Sequence, residues 1–122
     1  MVWSCLVSIL PGMAQTEKLT DYVNPFVGTD GYGNVYPGAQ IPFGGIQISP
    51  DTDSRFYDAA SGYKYNHLTL MGFSLTHLSG TGIPDLGDFL FIPGTGEMKL
   101  EPGTHEDPDQ GYRSRYSHDK EW

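Results

Sequence analysis

Cysteine is nearly missing from this chain, and the one present, Cys5, falls in its apolar opening stretch. Stapling within one chain needs at least two thiols, so intrachain disulfides are excluded. Positive charge is scarce as well: seven Lys and Arg stand against fifteen Asp and Glu, for a net charge of −8. An acidic chain whose cationic residues never cluster in sequence repels phosphate backbones, which argues against nucleic acid as a partner. No apolar run approaches the ~20 residues of a membrane-crossing helix. His67, His77, His105 and His118 form no HxH or HxxxH pair, which argues against a zinc site. No serine occupies a GxSxG elbow, and internal repeats and low-complexity segments are lacking. Neutral sugars and cations remain open as ligands.

Turn formers and aromatic residues are plentiful. Sixteen Gly and nine Pro make up about a fifth of the 122 residues, and eight Tyr with six Phe set the chain apart from disordered sequences. Many turns joined by short strands imply an all-β, loop-rich domain. The apolar run Val2–Leu10, followed by small residues at Gly12 and Ala14, reads as a signal peptide over 1–14, with Gln15 as the new terminus. No Lys or Arg precedes the run, so the first residue reads as lying inside a longer leader. A buried terminal strand or helix is the alternative for this stretch. Cys5 stands too near the start for a lipoprotein cleavage site.

Along the rest of the chain, Val23–Phe43 is dense in Asn-Pro, Asp-Gly and Pro-Gly steps and reads as loop. Gly44–Ser49 alternates, with Ile46 and Ile48 on one face, and predicts a strand stopped by Pro50. Gly62–Tyr65 reads as the start of another strand. Leu68–Leu78 reads as a strand rather than a helix, because of Thr69, Phe73, Thr76 and the interrupting Gly72. Asp88–Pro93 is expected to be a strand with Glu97–Leu100 as a hairpin partner, and Tyr112–Ser117 alternates again. No closing strand is recognisable before Trp122, so the domain reads as incomplete there.

Glycosidic hydrolysis needs two carboxyl groups, one to protonate the leaving oxygen and one to activate water or attack the sugar. Asp85 and Asp88 are spaced to reach a common ligand, or else to cap a turn and open a strand. Asp51 and Asp53 fit an Asx-turn or a cation site, and Glu106, Asp107 and Asp109 a solvated turn. His77 is open to two readings, a hydrogen-bonded structural residue or a base. The loops GTDGYGN (Gly28–Asn34) and SGTG (Ser79–Gly82) lack the Lys of a phosphate loop. Their glycines suit close backbone approach to a sugar, with Tyr or Phe stacking on its apolar face.

The stretch YVNPFVGTDGYGNVYPGAQIPFGGIQISPDT (Tyr22–Thr52) closely resembles the opening of family 92 glycoside hydrolases, the exo-acting α-mannosidases. SGYKYNHLTLMGFSLTHLSGTGIPDLGDFLFIPGTG (Ser61–Gly96) resembles their next block in the same order. The resemblance implies that residues 15–122 are part of an amino-terminal β-sandwich, here a partial one. It further implies a missing carboxy-terminal (α/α)6 barrel, inversion at the anomeric carbon and dependence on calcium. The acid, the base and the calcium ligands belong to that barrel, so no residue here is assigned a catalytic or metal-binding role. The pocket-facing residues it implies are Gly28, Thr29, Asp30 and Gly31, then Tyr57 and Asp58, then Ser61, Gly62, His77 and Ser79. At the connector, Tyr57-Asp58-Ala59-Ala60-Ser61-Gly62 stands where many members carry Trp-Asp-Trp-Cys-Ser-Gly, with less stacking surface and no thiol. Two functions follow as expectations. One is a piece of an exported, periplasmic or extracellular α-mannosidase acting on mannose-containing glycans, inactive without its barrel. The other is a non-catalytic secreted carbohydrate-binding β-sandwich module.

Overall fold

A computed structural model describes residues 17–53, 55, 57–80, 82–85 and 87–119. The expected leader with Cys5, and positions Phe56, Thr81, Leu86 and Trp122, lie outside the described residues. The described chain is all-β and loop-rich. It has five short strands: β1 (Ser49–Asp51), β2 (Thr69–Leu70), β3 (Gly72–Ser74), β4 (Leu90–Phe91) and β5 (Ser114–Arg115). Single 3₁₀ turns stand at Leu19–Tyr22, Tyr57–Ala59 and Pro108–Gln110. β3 is the middle strand of one antiparallel sheet, with β1 and β4 on either side, and β2 pairs antiparallel with β5 in a second.

The expected strand Leu68–Leu78 is in fact two. Met71 interrupts it: its N–H donates to the Asp51 carbonyl at 2.7 Å and its side chain is buried, so the chain leaves one sheet and enters the other there. Gly44–Ser49 also differs from expectation. Regular pairing begins only at Ser49 and runs through Pro50, which an edge strand tolerates because proline has no N–H to contribute. Of the two faces of the alternating stretch, the one carrying Ile46 and Ile48 is exposed, while Ser49 and Asp51 point inward. Gly62–Tyr65 and Glu97–Leu100 form no strand. β4 pairs with β3 instead of a hairpin partner, and only Ser114–Arg115 of Tyr112–Ser117 is regular.

The reason lies in the interior. Among the described residues its buried apolar side chains are Tyr36, Ala59, Ala60, Tyr63 and Met71, outnumbered by Thr, Ser, Asp, Asn, Lys, His and Arg. Inward positions are therefore taken by groups that hydrogen-bond one another, because a buried polar group without a partner is costly. On the opposite face of the first sheet, Pro50, Phe73 and Phe91 form a row across the three strands in register. Pro50 and Phe73 also line an apolar concavity of about 350 Å³ together with Phe26, Tyr63 and Tyr116.

One glycine is indispensable to this interior. Gly62 has φ +91°, and a Cβ there would overlap the Asp51 carboxylate and stand 3.2 Å from the His77 ring. Replacing it combines left-handed backbone strain with overpacking. Gly62→Ala should lower stability by at least about 2 kcal/mol, measured as a shift in denaturation midpoint against the unmodified chain.

Candidate functional site

Two buried polar knots share the stretch Asp51-Thr52-Asp53, and three loops converge beside them. In the first knot, Asp51 Oδ2 accepts the Ser74 N–H at 2.7 Å and Oδ1 lies 3.0 Å from His77 Nε2. Nδ1 of His77 faces the Gln47 carbonyl at 2.7 Å, and a carbonyl oxygen only accepts, so Nδ1 carries a proton. Ser74 Oγ stands 2.9 Å from the same Nε2. The backbone N–H of His77 donates to Gln47 Oε1 at 2.9 Å, and Tyr36 packs on the ring at 4.8 Å. Aspartate and serine here meet one ring nitrogen, whereas a nucleophilic triad places them on opposite nitrogens. Ser74 is wholly buried besides. His77 therefore takes the structural of its two readings, tying Gln47 and β1 to the end of β3.

In the second knot, Asp53 Oδ1 accepts the Arg55 backbone N–H at 2.9 Å, which makes the expected Asx-turn, and Arg55 Nη2 reaches Oδ2 at 3.0 Å. Arg113 Nη2 lies 3.8 Å and His105 Nε2 3.3 Å from Oδ2. Burial pushes the Asp53 carboxyl up, but the Arg55 hydrogen bonds and the charges of Arg55 and Arg113 outweigh it and hold the group at about 2. Arg113, its side chain fully buried, donates from Nη1 to the Thr52 carbonyl and to Thr69 Oγ1. Among the described residues, no group of three or more His, Cys, Asp or Glu is placed to hold a metal ion. The two buried carboxylates are already engaged by His77, Ser74 and Arg55, so they do not fit a calcium cradle.

The expected pocket-facing residues fall into two sets. The loop carrying Gly28, Thr29, Asp30 and Gly31, the connector with Tyr57 and Asp58, and the loop with Ser79 are drawn together by Asn34. Asn34 is buried at φ +47°; its carbonyl accepts the Gly80 N–H at 2.7 Å and its Oδ1 the Ala60 N–H at 3.3 Å. Tyr32 and Tyr57 stand exposed with ring centroids 6.2 Å apart, and Tyr57 lies against Gly82, where a Cβ would be 2.5 Å from the ring. Asp30, Gly31, Tyr57 and Ser79 are exposed on these segments. Asp58, at the rim, accepts from Lys64 Nζ at 2.8 Å, which lowers its pKa. Thr29, Ser61, Gly62 and His77 are instead buried behind the loops. Thr29 Oγ1 donates to the Phe26 carbonyl at 2.8 Å, and Ser61 Oγ has no hydrogen-bond partner among the described residues. Asp85 and Asp88 are both exposed, Asp88 accepting from Thr76 Oγ1 at 3.3 Å.

Residues 22–122 match the Glycosyl hydrolase family 92 N-terminal domain. The chain belongs to glycosyl hydrolase family 92. This family 92 domain is also 36% identical over 73 residues to a protein of Arthroderma benhamiae described as an uncharacterized secreted glycosidase. The match takes in 59% of this chain and 9% of that relative, so the chain spans under a tenth of the relative's length. Among the described residues of the family 92 domain, no helix is long and apolar enough to cross a membrane.

Asn34 and Arg113 were not singled out from the sequence. Asn34 carries a usable signal, since Asn after Gly33 tolerates the left-handed region that few side chains adopt. Arg113 carries none beyond its place in an alternating strand. Asn34→Ala should cost roughly 1–3 kcal/mol by orphaning the Ala60 N–H, and should raise hydrogen exchange at Gly80 and Ala60 together. For Asp53, the folded value near 2 lies below the ordinary ~3.9. Its stabilising contribution is therefore complete above about pH 4 and lost as pH falls toward 2. An acid titration of unfolding should show this loss, roughly 2–3 kcal/mol, and Asp53→Asn should remove it while lowering stability at pH 7.

Proposed function

We propose that this domain is the pocket-shaping wall of a secreted, exo-acting α-mannosidase that inverts the anomeric carbon, depends on calcium and acts on mannose-containing glycans. In this reading the acid, the base and the calcium ligands lie on a separate (α/α)6 domain. The carrying observation is the convergence of three loops on Asn34, with Tyr32 and Tyr57 turned outward beside Gly82. Two tyrosine faces at this separation offer a stacking surface for the apolar side of a pyranose ring. In this reading the Asp30 and Asp58 carboxylates, on the same loop and connector, accept hydrogen bonds from sugar hydroxyls, and the Lys64 hydrogen bond lowers the Asp58 pKa.

Inversion needs two carboxyl groups roughly 6.5–9.5 Å apart with room for water between them. Here Asp51 and Asp53 are enclosed and held by His77 and Arg55, which supports placing the reacting pair outside this domain. Export is supported by the apolar run Val2–Leu10 and by the description of the relative as secreted. The chain as given should release no phenol from an aryl α-mannoside, with or without calcium, and turnover by it would overturn the assignment of the acid and base elsewhere. Methyl α-mannoside titrated into the chain should shift the NMR signals of Tyr32 and Tyr57, an effect that Tyr57→Ala weakens. Shifts confined to other regions would sink the pocket assignment.

A further inference from the structure

The second polar knot carries a pair of histidines that the proposed sugar pocket does not use. His67 and His105 come from segments far apart in sequence, yet their ring centroids lie 4.0 Å apart at an angle of 45°. Each is bonded through Nδ1 to a threonine: His67 to Thr52 Oγ1 at 3.1 Å and His105 to Thr69 Oγ1 at 2.7 Å. Both hydroxyl oxygens already accept another N–H. Lys64 N donates to Thr52 Oγ1 at 2.9 Å, and Arg113 Nη1 to Thr69 Oγ1 at 3.3 Å. A hydroxyl has one proton to give, and with an acceptor site already filled it serves best by donating that proton to an unprotonated Nδ1. The same pattern therefore suits a neutral ring at both positions.

We propose that the His67–His105 pair is a pH-sensitive fastener: with both rings neutral it holds the segment 101–116 against Thr52 and β2, and charging both rings releases that segment. The groups facing the pair work in both directions. Asp53, Asp58 and Glu106 favour protonation; Lys64 and Arg113 oppose it. For His67, burial and then the charge of His105 push the pKa down; for His105, burial and then the charge of Arg113 do so. Two imidazolium rings in contact would also repel each other beside the buried guanidinium of Arg113. The sign follows from linkage. With folded values below the ordinary ~6.5, the opened state takes up protons first, so closure is complete above that pH and weakens as pH falls below it.

The bonds at stake cross from this segment to the rest: Arg113 Nη1 to the Thr52 carbonyl and to Thr69 Oγ1, and Tyr116 N to the Leu68 carbonyl. Hydrogen-exchange protection at Tyr116, corrected for the intrinsic pH dependence of exchange, should fall at least about tenfold between pH 7.5 and 5. Protection at Ser74, in the first sheet, should change much less. The double variant His67→Gln, His105→Gln should flatten this response. The unmodified chain supplies a second measurement: ring-proton NMR should show both histidines titrating below the ordinary range. Ordinary titration of the two rings, protection at Tyr116 that does not vary with pH, or an equal response in the double variant would each overturn the proposal.

Discussion

The Asp51 carboxylate is the constraint on which the interior is arranged. A buried anion is tolerated only where hydrogen bonds and a countercharge replace water, and each partner is thereby given a fixed position. Oδ2 holds the Ser74 N–H and so ties β1 to β3, while Oδ1 holds His77 and through it Gln47. The Asp51 carbonyl takes the Met71 N–H at the point where the chain changes sheets. Gly62 must lack a side chain because this carboxylate fills the space beside it. A hydrogen-bond network of this kind specifies position more tightly than apolar packing does, because its donors and acceptors are directional and costly to leave unmatched.

The polar interior has consequences for the surface. With inward positions occupied by Asp51, Thr52, Asp53, Ser74, His77 and Arg113, much of the apolar material stands outward. Two outward arrays differ in kind. Tyr32 and Tyr57 stand among glycine-rich loops with carboxylates at the rim, the composition of a site for a polar ring-shaped ligand. Pro50, Phe73 and Phe91 form a plain apolar row across a sheet. The loops are anchored by bonds to the Asn34 carbonyl and side-chain oxygen, so their spacing is a property of the folded core and not of the loops alone.

Family membership and architecture set different limits on function. Residues 22–122 carry the family 92 N-terminal domain, while the chain spans 9% of the secreted glycosidase it resembles. In the function proposed above, this domain supplies one wall of a pocket and the reacting groups lie elsewhere. The enclosed state of Asp51 and Asp53 agrees with such a division of labour, since a carboxyl already held by His77 or Arg55 is poorly placed to exchange protons with a sugar.

The amino-acid sequence by itself determined the class of the domain, its family and the turn-rich character of 23–43. These are local properties: glycine and proline dictate backbone conformation where they stand, and long ordered strings identify relatives without any folding. The all-β class was legible for the same reason, whereas the strand bounds were not. Alternation at Ile46 and Ile48 signals a strand but not which face turns inward, and that choice followed from the polar partners awaiting Ser49 and Asp51. Only the tertiary structure decided that Leu68–Leu78 divides at Met71, that His105 and Arg113 come up to Asp53, and that His67 meets His105. Each of these contacts joins residues far apart in the chain, and a periodicity read over a few residues holds no record of what lies across the fold.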